Sequence, residues 1–167
     1  METTKPEIKG ISPDETLEVC ARQIIASYFH EMMSYKEGAK VGTDIEFVHD
    51  MRVTSRRLRA AMDNFADCFP RRSPFRKHYK KIRAITQTMG AVRDLDVLIV
   101  RFETELTNLT TVEQQDLRGL IESLRRKRKD AREPMLTLFK ELEETNFETE
   151  FLEFFVGRQS TSPNCKV

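Results

Sequence analysis

Apolar residues recur at helical spacing along nearly the whole chain, and little breaks the pattern. Leu17, Ala21, Ile24, Ile25, Tyr28 and Met32 fall mostly three or four residues apart, the period of an amphipathic helix. Phe47, Met51, Leu58, Met62, Phe65 and Phe69 repeat it, as do Ile82, Ile85, Met89, Val92, Ile99, Phe102 and Leu106. A fourth stripe runs through Leu117, Leu120, Ile121 and Leu124 and resumes in phase at Met135, Leu138, Phe139 and Leu142. Only six Gly and six Pro punctuate 167 residues, so there are too few turns for an all-β domain.

Punctuation sets the boundaries. Ser12 or Asp14 can cap the first helix, which should end near Lys36 to Gly42. Thr43 or Asp44 can cap the second, and Pro70 stops it. Ser73-Pro74 reads as a cap followed by an N1 proline. Thr111 with Gln114 reads as a capping box. Pro134 lies inside the fourth stripe without changing its phase, which fits one kinked helix. Phe147 to Phe155 is a short fifth amphipathic piece. The expected fold class is all-α: an antiparallel four-helix bundle with long, kinked helices and a short fifth C-terminal helix. Residues 1–12 read as a flexible start, 13–156 as the bundle and 157–167 as a flexible tail.

Several classes are set aside. No apolar run approaches the roughly 18 residues of a membrane span, and Met1 to Gly10 lacks a secretory apolar region. Cys20, Cys68 and Cys165 are odd in number and far apart, which excludes a zinc ribbon and disfavours a disulfide scaffold. A reducing cytoplasm is the expected compartment.

The formal net charge of +1 conceals a strong segregation. Met1 to Asp50 carries five basic and ten acidic residues. Met51 to Arg101 carries thirteen basic and four acidic, and Leu117 to Arg132 seven and two. Glu141 to Glu153 holds six acids and no base.

Helical phase sorts these charges onto faces. At about 100° per residue, His49, Arg52, Arg56 and Arg59 share an arc of roughly 80° that points away from the apolar stripe. Arg76, Lys80 and Arg83 share an arc of roughly 60° on the third helix, continued by Gln87, Gly90 and Asp94. Arg118, Arg125, Lys129 and Arg132 line one flank of the fourth. Such faces can be solvated surfaces laced with salt bridges. The His49 to Arg59 arc holds no acid, however, so like charges stack on successive turns, costing a few tenths of a kcal/mol per pair. An anionic partner relieves that repulsion, and arginine forks suit phosphate. His49 reads either as a surface residue or as a phosphate ligand whose protonation a polyanion would favour.

Asp96 falls near the apolar phase of Met89 and Val92, so it needs a partner. Arg93 and Arg128 are the two candidates. A Mg²⁺ site built from Asp94 and Asp96 is the alternative reading of the acid pair. Neither His30 nor His78 makes a metal-ligand pattern with His49. No Gly-rich phosphate loop, nucleophile elbow or HExxH motif occurs. Neither catalytic residues nor a cofactor or metal are expected.

The run from Val48 to Arg59, Val-His-Asp-Met-Arg-Val-Thr-Ser-Arg-Arg-Leu-Arg, resembles the signature of the CHAD family, the conserved histidine α-helical domain. The run from Met89 to Leu98, Met-Gly-Ala-Val-Arg-Asp-Leu-Asp-Val-Leu, resembles its second signature, in the same order and at a similar separation. The resemblance spans roughly Asp14 to Phe155. It implies an all-helical fold whose basic surface binds inorganic polyphosphate. It places His49, Arg52, Arg56 and Arg59 in the anion site, with Arg83 and Arg93 at further basic positions of the family pattern. Arg57 matches the motif but points elsewhere, toward helix packing or an ion pair.

Full family domains look like two related bundles. This chain resembles the first bundle plus the opening helix of the second, Phe147 to Phe155. It is then either a half-length protein that pairs with itself or a fragment. Phe147, Phe151, Leu152, Phe154 and Phe155 are candidates for a homodimer contact, or else cover their own bundle.

The expected function is a polyphosphate-binding module, or one for another phosphate-rich polyanion, without catalysis. Its site would comprise His49, Arg52, Arg56, Arg59, Arg76, Lys80, Arg83, Arg93, Arg125, Lys129 and Arg132, in a groove between the second, third and fourth helices. The expected location is the cytoplasm, with polyphosphate granules as one place. Two rivals share parts of this chemistry. A nucleic-acid-binding protein would use the same charges, but only Phe75 and Tyr79 interrupt the basic arcs as stacking residues. A metal-dependent phosphohydrolase would use Asp94 and Asp96.

Overall fold

The computed structural model describes residues 14–69 and 72–157. Among these, all regular structure is helical: α1 (Leu17–Ser34), α2 (Lys36–Val41), α3 (Glu46–Asn64), α4 (Arg72–Glu105), α5 (Thr111–Glu144) and α6 (Phe147–Phe155). None of these helices is long and apolar enough to cross a membrane.

Helix starts differ from the expected caps by a residue or two. Thr16, extended at φ −69° and ψ 152°, caps α1 by accepting from Val19 N at 3.4 Å. Asp14 does not fill that role, and Ser12 lies outside the described residues. Asp44 does act at the start of α3, accepting from Glu46 N at 2.9 Å. α4 is already helical at Arg72, which puts Ser73 and Pro74 inside its first turn, where proline costs no hydrogen bond. Pro70 lies outside the described residues. The capping box of α5 sits one residue earlier than Thr111 and Gln114. Thr110 N donates to the Glu113 carboxylate at 3.0 Å and its hydroxyl donates at 2.6 Å. Pro134 is accommodated within one helix of 34 residues.

The first helix ends two residues before the stretch from Lys36 to Gly42 in which its end is expected, and that stretch forms a short helix of its own. α1 ends at Ser34, and the six-residue α2 closes on Gly42 in the left-handed region at φ 74°. That backbone conformation favours glycine, and a Cβ there would displace the Arg132 guanidinium that packs against it.

Contacts between neighbours fix their direction. Glu46 meets Arg93, Arg52 lies over Gly90, Arg59 over Tyr79, and Asp63 accepts from Tyr79. Numbers rise on α3 as they fall on α4, so the two run antiparallel. The same reasoning makes α4 antiparallel to α5, through Lys81–Glu141, Asp96–Arg128 and Glu103–Arg125. α1 runs antiparallel to α6, where Arg22 donates to the carbonyls of Phe154 and Phe155 at 3.1 and 2.8 Å. That arginine serves the carbonyl groups that a helix C-terminus leaves unsatisfied.

The core joins Ile25, Phe29 and Met32 of α1, Met51, Leu58 and Met62 of α3, Ile82, Ile85 and Met89 of α4, and Met135, Phe139 and Leu142 of α5. A second, smaller cluster of Ile99, Ile121 and Leu124 lies between the far ends of α4 and α5. Some apolar positions depart from the expected stripes. Phe47 is exposed and covers Gly38, while Val48 beside it is fully buried. Leu17 and Leu120 face solvent. Cys20 and Cys68 are free thiols.

α6 inserts Phe147, Phe151 and Phe155 into the core, each at most 1% exposed. Phe151 stacks on Phe29 at 3.9 Å between centroids. These three rings cover their own bundle and are not available to a second copy. A homodimer through this helix would have only its outer residues to use.

His78 is buried on α4 beside Phe147, Phe151, Phe154 and Phe155, with ring centroids 5.2 to 5.9 Å away. Its Nδ1 has no hydrogen-bond partner among the described residues. Burial, aided by Lys77, holds its pKa below the ordinary 6.5, against a smaller opposing pull from Glu150. The folded state therefore favours neutral imidazole. This contribution is fully present above pH 6.5 and declines as pH falls below it, because only the unfolded chain takes up the proton easily. Glu150 is held below the carboxylate range by Lys77 and titrates at lower pH. Denaturant unfolding at pH 7.5 and pH 5.0 should show a loss of stability in the parent that is smaller in His78→Phe. Equal pH dependence in the two proteins would show that His78 is not the group responsible.

Candidate anion-binding site

The site begins with the two-sidedness of α3. Val48, Met51, Leu58 and Met62 turn into the core. Thr54 and Ser55 are buried beside them and hydrogen-bonded, Ser55 Oγ donating to Arg52 O at 2.8 Å within α3 and Thr54 Oγ1 to Glu31 Oε1 of α1 at 3.4 Å. The opposite edge carries His49, Arg52, Arg56 and Arg59 along the seam with α4. Arg56 is exposed, and the other three are half-buried. α4 brings Arg76, Lys80 and Arg83, all exposed, along the same seam. The antiparallel register sets Arg56 level with Arg83.

None of these seven residues has an acidic partner within the described residues. Arg52 crosses to α4, with its Nε 3.6 Å from where a Cβ on Gly90 would stand. Arg59 holds its guanidinium over the Tyr79 ring, 5.7 Å from the centroid. The Nε atoms of Arg52 and Arg59 are both buried without an acceptor. A buried donor of this kind costs about 1–3 kcal/mol unless something occupies it.

The other expected site residues are engaged elsewhere. Arg93, at the His49 end of the seam, pairs with Glu46 at 3.2 Å. Arg125 is bracketed by Glu103 at 2.7 Å and Glu122 at 2.5 Å. Arg132 turns inward and donates to Ala39 O at 3.2 Å and Lys40 O at 2.7 Å, closing the end of α2. Burial, then the neighbouring Arg128, pulls its proton affinity below the ordinary arginine value. Lys129 is exposed and unpaired among the described residues, but it stands on α5. α4 uses Tyr79 and Arg93 to meet α3 and Asp96 to meet α5, so α5 lies on a different flank. The cations without acidic partners thus line the α3–α4 seam, while the expected contributors from the fourth helix stand on another flank of α4.

Arg128 Nε pairs with Asp96, whose side chain is 1% exposed. Arg93, the other candidate for Asp96, is taken by Glu46. Asp94 faces solvent while Asp96 is buried, as residues two apart on a helix must diverge. The two carboxylates cannot close on one Mg²⁺ ion. No group of three or more metal-ligating side chains occurs among the described residues. Arg57 reaches Glu31 at 4.0 Å, the ion pair expected of it. Two contributors escape the phase reading: Tyr79 as the seat of Arg59, and Glu46 as the partner of Arg93. Sequence spacing suggests an i,i+4 ion pair between Arg59 and Asp63, and none joins them.

Residues 23–164 match the CHAD domain. That span is most of the chain, and the protein belongs to the CHAD family. No curated protein and no solved structure matches the chain.

The two kinds of arginine should respond differently to mutation. Removing one partner of a buried ion pair costs about 3–5 kcal/mol, whereas exposed pairs are worth about 0–1 kcal/mol. Asp96→Ala should lower unfolding stability by about 3 kcal/mol or more, and Arg125→Ala by less than about 1 kcal/mol. Urea denaturation measures both. Comparable losses would contradict the assignment of Asp96–Arg128 as the internal pair.

Proposed function

We propose that the protein binds inorganic polyphosphate, or another phosphate-rich polyanion, along the α3–α4 seam and performs no chemistry on it. One observation carries this reading: Arg52 and Arg59 keep buried Nε donors without acceptors inside an acid-free row of cations. Phosphoryl oxygens would supply the acceptors and remove the like-charge repulsion together. Arginine forks from α3 would grip successive phosphates, and Arg76, Lys80 and Arg83 would line the facing wall. His49 would close one end, taking up a proton as the polyanion binds. Arg93 would join by exchanging Glu46 for phosphate. Lys129, Arg125 and Arg132 would add only to the surrounding field. Membership of the CHAD family supports the choice of polyphosphate, and a cytoplasmic polyphosphate granule is a setting that suits it.

Nucleic acid is the less favoured ligand. Phe75 is buried, and Tyr79 lies against Arg59, so neither ring is an open stacking platform.

Arg52→Ala with Arg56→Ala should weaken binding of long-chain polyphosphate at least tenfold, since a hydrogen bond to a charged group contributes about 1.5–3 kcal/mol. The slope of log affinity against log salt should fall by about 1.4, at about 0.7 per contact on a single-stranded polyanion. Titration by fluorescence anisotropy checks both, with circular dichroism to verify helicity. Unchanged affinity would remove α3 from the site. Displacement of polyphosphate by DNA at equal phosphate concentration would favour the nucleic-acid reading, and released orthophosphate with Mg²⁺ or Mn²⁺ would establish catalysis.

A further inference from the structure

Arg59 and Asp63 stand four residues apart on α3, the spacing at which arginine and carboxylate pair across one helical turn. No ion pair joins them. Tyr79, reaching across from α4, meets both. Its ring lies under the Arg59 guanidinium, with 5.7 Å from Cζ to the centroid. Its hydroxyl donates to Asp63 Oδ2 at 3.1 Å. Arg59 Nε remains buried with no acceptor.

We infer that Tyr79 is a positioning residue that holds Asp63 away from Arg59 and so keeps this cation charged and open to the ligand. The inference rests on the anion-binding reading of the seam. The ring attracts the guanidinium through its quadrupole but leaves the positive charge in place. A carboxylate at the same spot would cancel the charge and fill the N–H donors that a phosphate needs. The hydroxyl gives Asp63 a substitute donor, so the acid is satisfied without the arginine. Lys80 is next in sequence to Tyr79 and Arg83 lies one turn further along α4. Shielding Arg59 thus keeps the row continuous between Arg56 and Lys80.

Tyr79→Phe keeps the ring and releases Asp63. Asp63 then pairs with Arg59, and the ligand must break that pair before using the guanidinium. An exposed pair of this kind shifts an equilibrium by up to about fivefold. The full chain carrying Tyr79→Phe should therefore bind long-chain polyphosphate about two- to fivefold more weakly, with a salt slope lower by about 0.7. Adding Asp63→Asn should restore affinity to within about twofold of the Asp63→Asn single variant. A purely structural role for Tyr79 would not give that rescue. Wild-type affinity in Tyr79→Phe, or a loss that Asp63→Asn leaves uncorrected, would overturn the inference.

A ligand-free measurement separates this inference from the function it rests on. The ¹⁵Nε–¹Hε resonance of Arg59 should move in Tyr79→Phe and return in the double variant. If the parent binds no polyphosphate, the reading of the seam falls. The arginine resonance still decides whether Tyr79 holds the two side chains apart, and an unmoved resonance would show that it does not.

Discussion

The packing of α3 against α4 is the constraint from which the rest of the molecule follows. One edge of this antiparallel pair buries Met51, Leu58 and Met62 against Ile82, Ile85 and Met89. The other edge carries a row of cations without acids. Burying one such apolar side chain is worth about 1.5–3 kcal/mol, whereas a like-charge pair on a helix costs a few tenths. The core therefore holds the two basic edges together against their repulsion. An anion of the kind proposed would meet Arg52 and Arg59 already held against α4, which would leave less ordering to oppose binding.

Phase arithmetic makes the α3 and α4 edges legible in the sequence, because both helices are long and run uninterrupted through their apolar stripes. It also shows that Asp96 needs a partner and narrows it to Arg93 or Arg128, between which packing chooses Arg128. It fails where an arginine finds a partner that the register alone does not disclose. Arg132 falls on the basic flank of α5 yet turns to the carbonyls of Ala39 and Lys40. Those carbonyls are available only because α2 breaks from α1 and ends at Gly42. Arg93 and Arg125 are likewise taken by Glu46 and Glu103, acids 47 and 22 residues away. The expected contribution of α5 to the anion site is reduced for the same reason, since Arg125 and Arg132 have partners of their own. Phase assigns a residue to a face of its own helix, and packing decides which neighbour that face meets.

α6 shows the reverse case. Its ring pattern alone fits a contact between two copies as well as cover for one. Phe29 decides between them, although it is absent from the expected α1 stripe. It is fully buried and stacks on Phe151, giving α6 a seat within its own chain. Arg22 secures the far end through the carbonyls of Phe154 and Phe155.

A net charge near zero and a concentrated basic seam are compatible because the acids are disposed elsewhere. Glu143 takes Lys36 and Lys40, Glu150 takes Lys77, and Glu141 takes Lys81. Each of these pairs joins two helices, so the acids near the C-terminus brace the bundle while neutralising these four lysines. Their position also matters. Lys77 and Lys81 stand on either side of Lys80 in sequence and pair with α6 and α5, whereas Lys80 has no acidic partner among the described residues. The helix thus sorts adjacent lysines into paired braces and one unpaired cation. Seven cations without an acidic partner among the described residues thus fall in one row along α3 and α4, the arrangement that an extended polyanion of the kind proposed would meet at once.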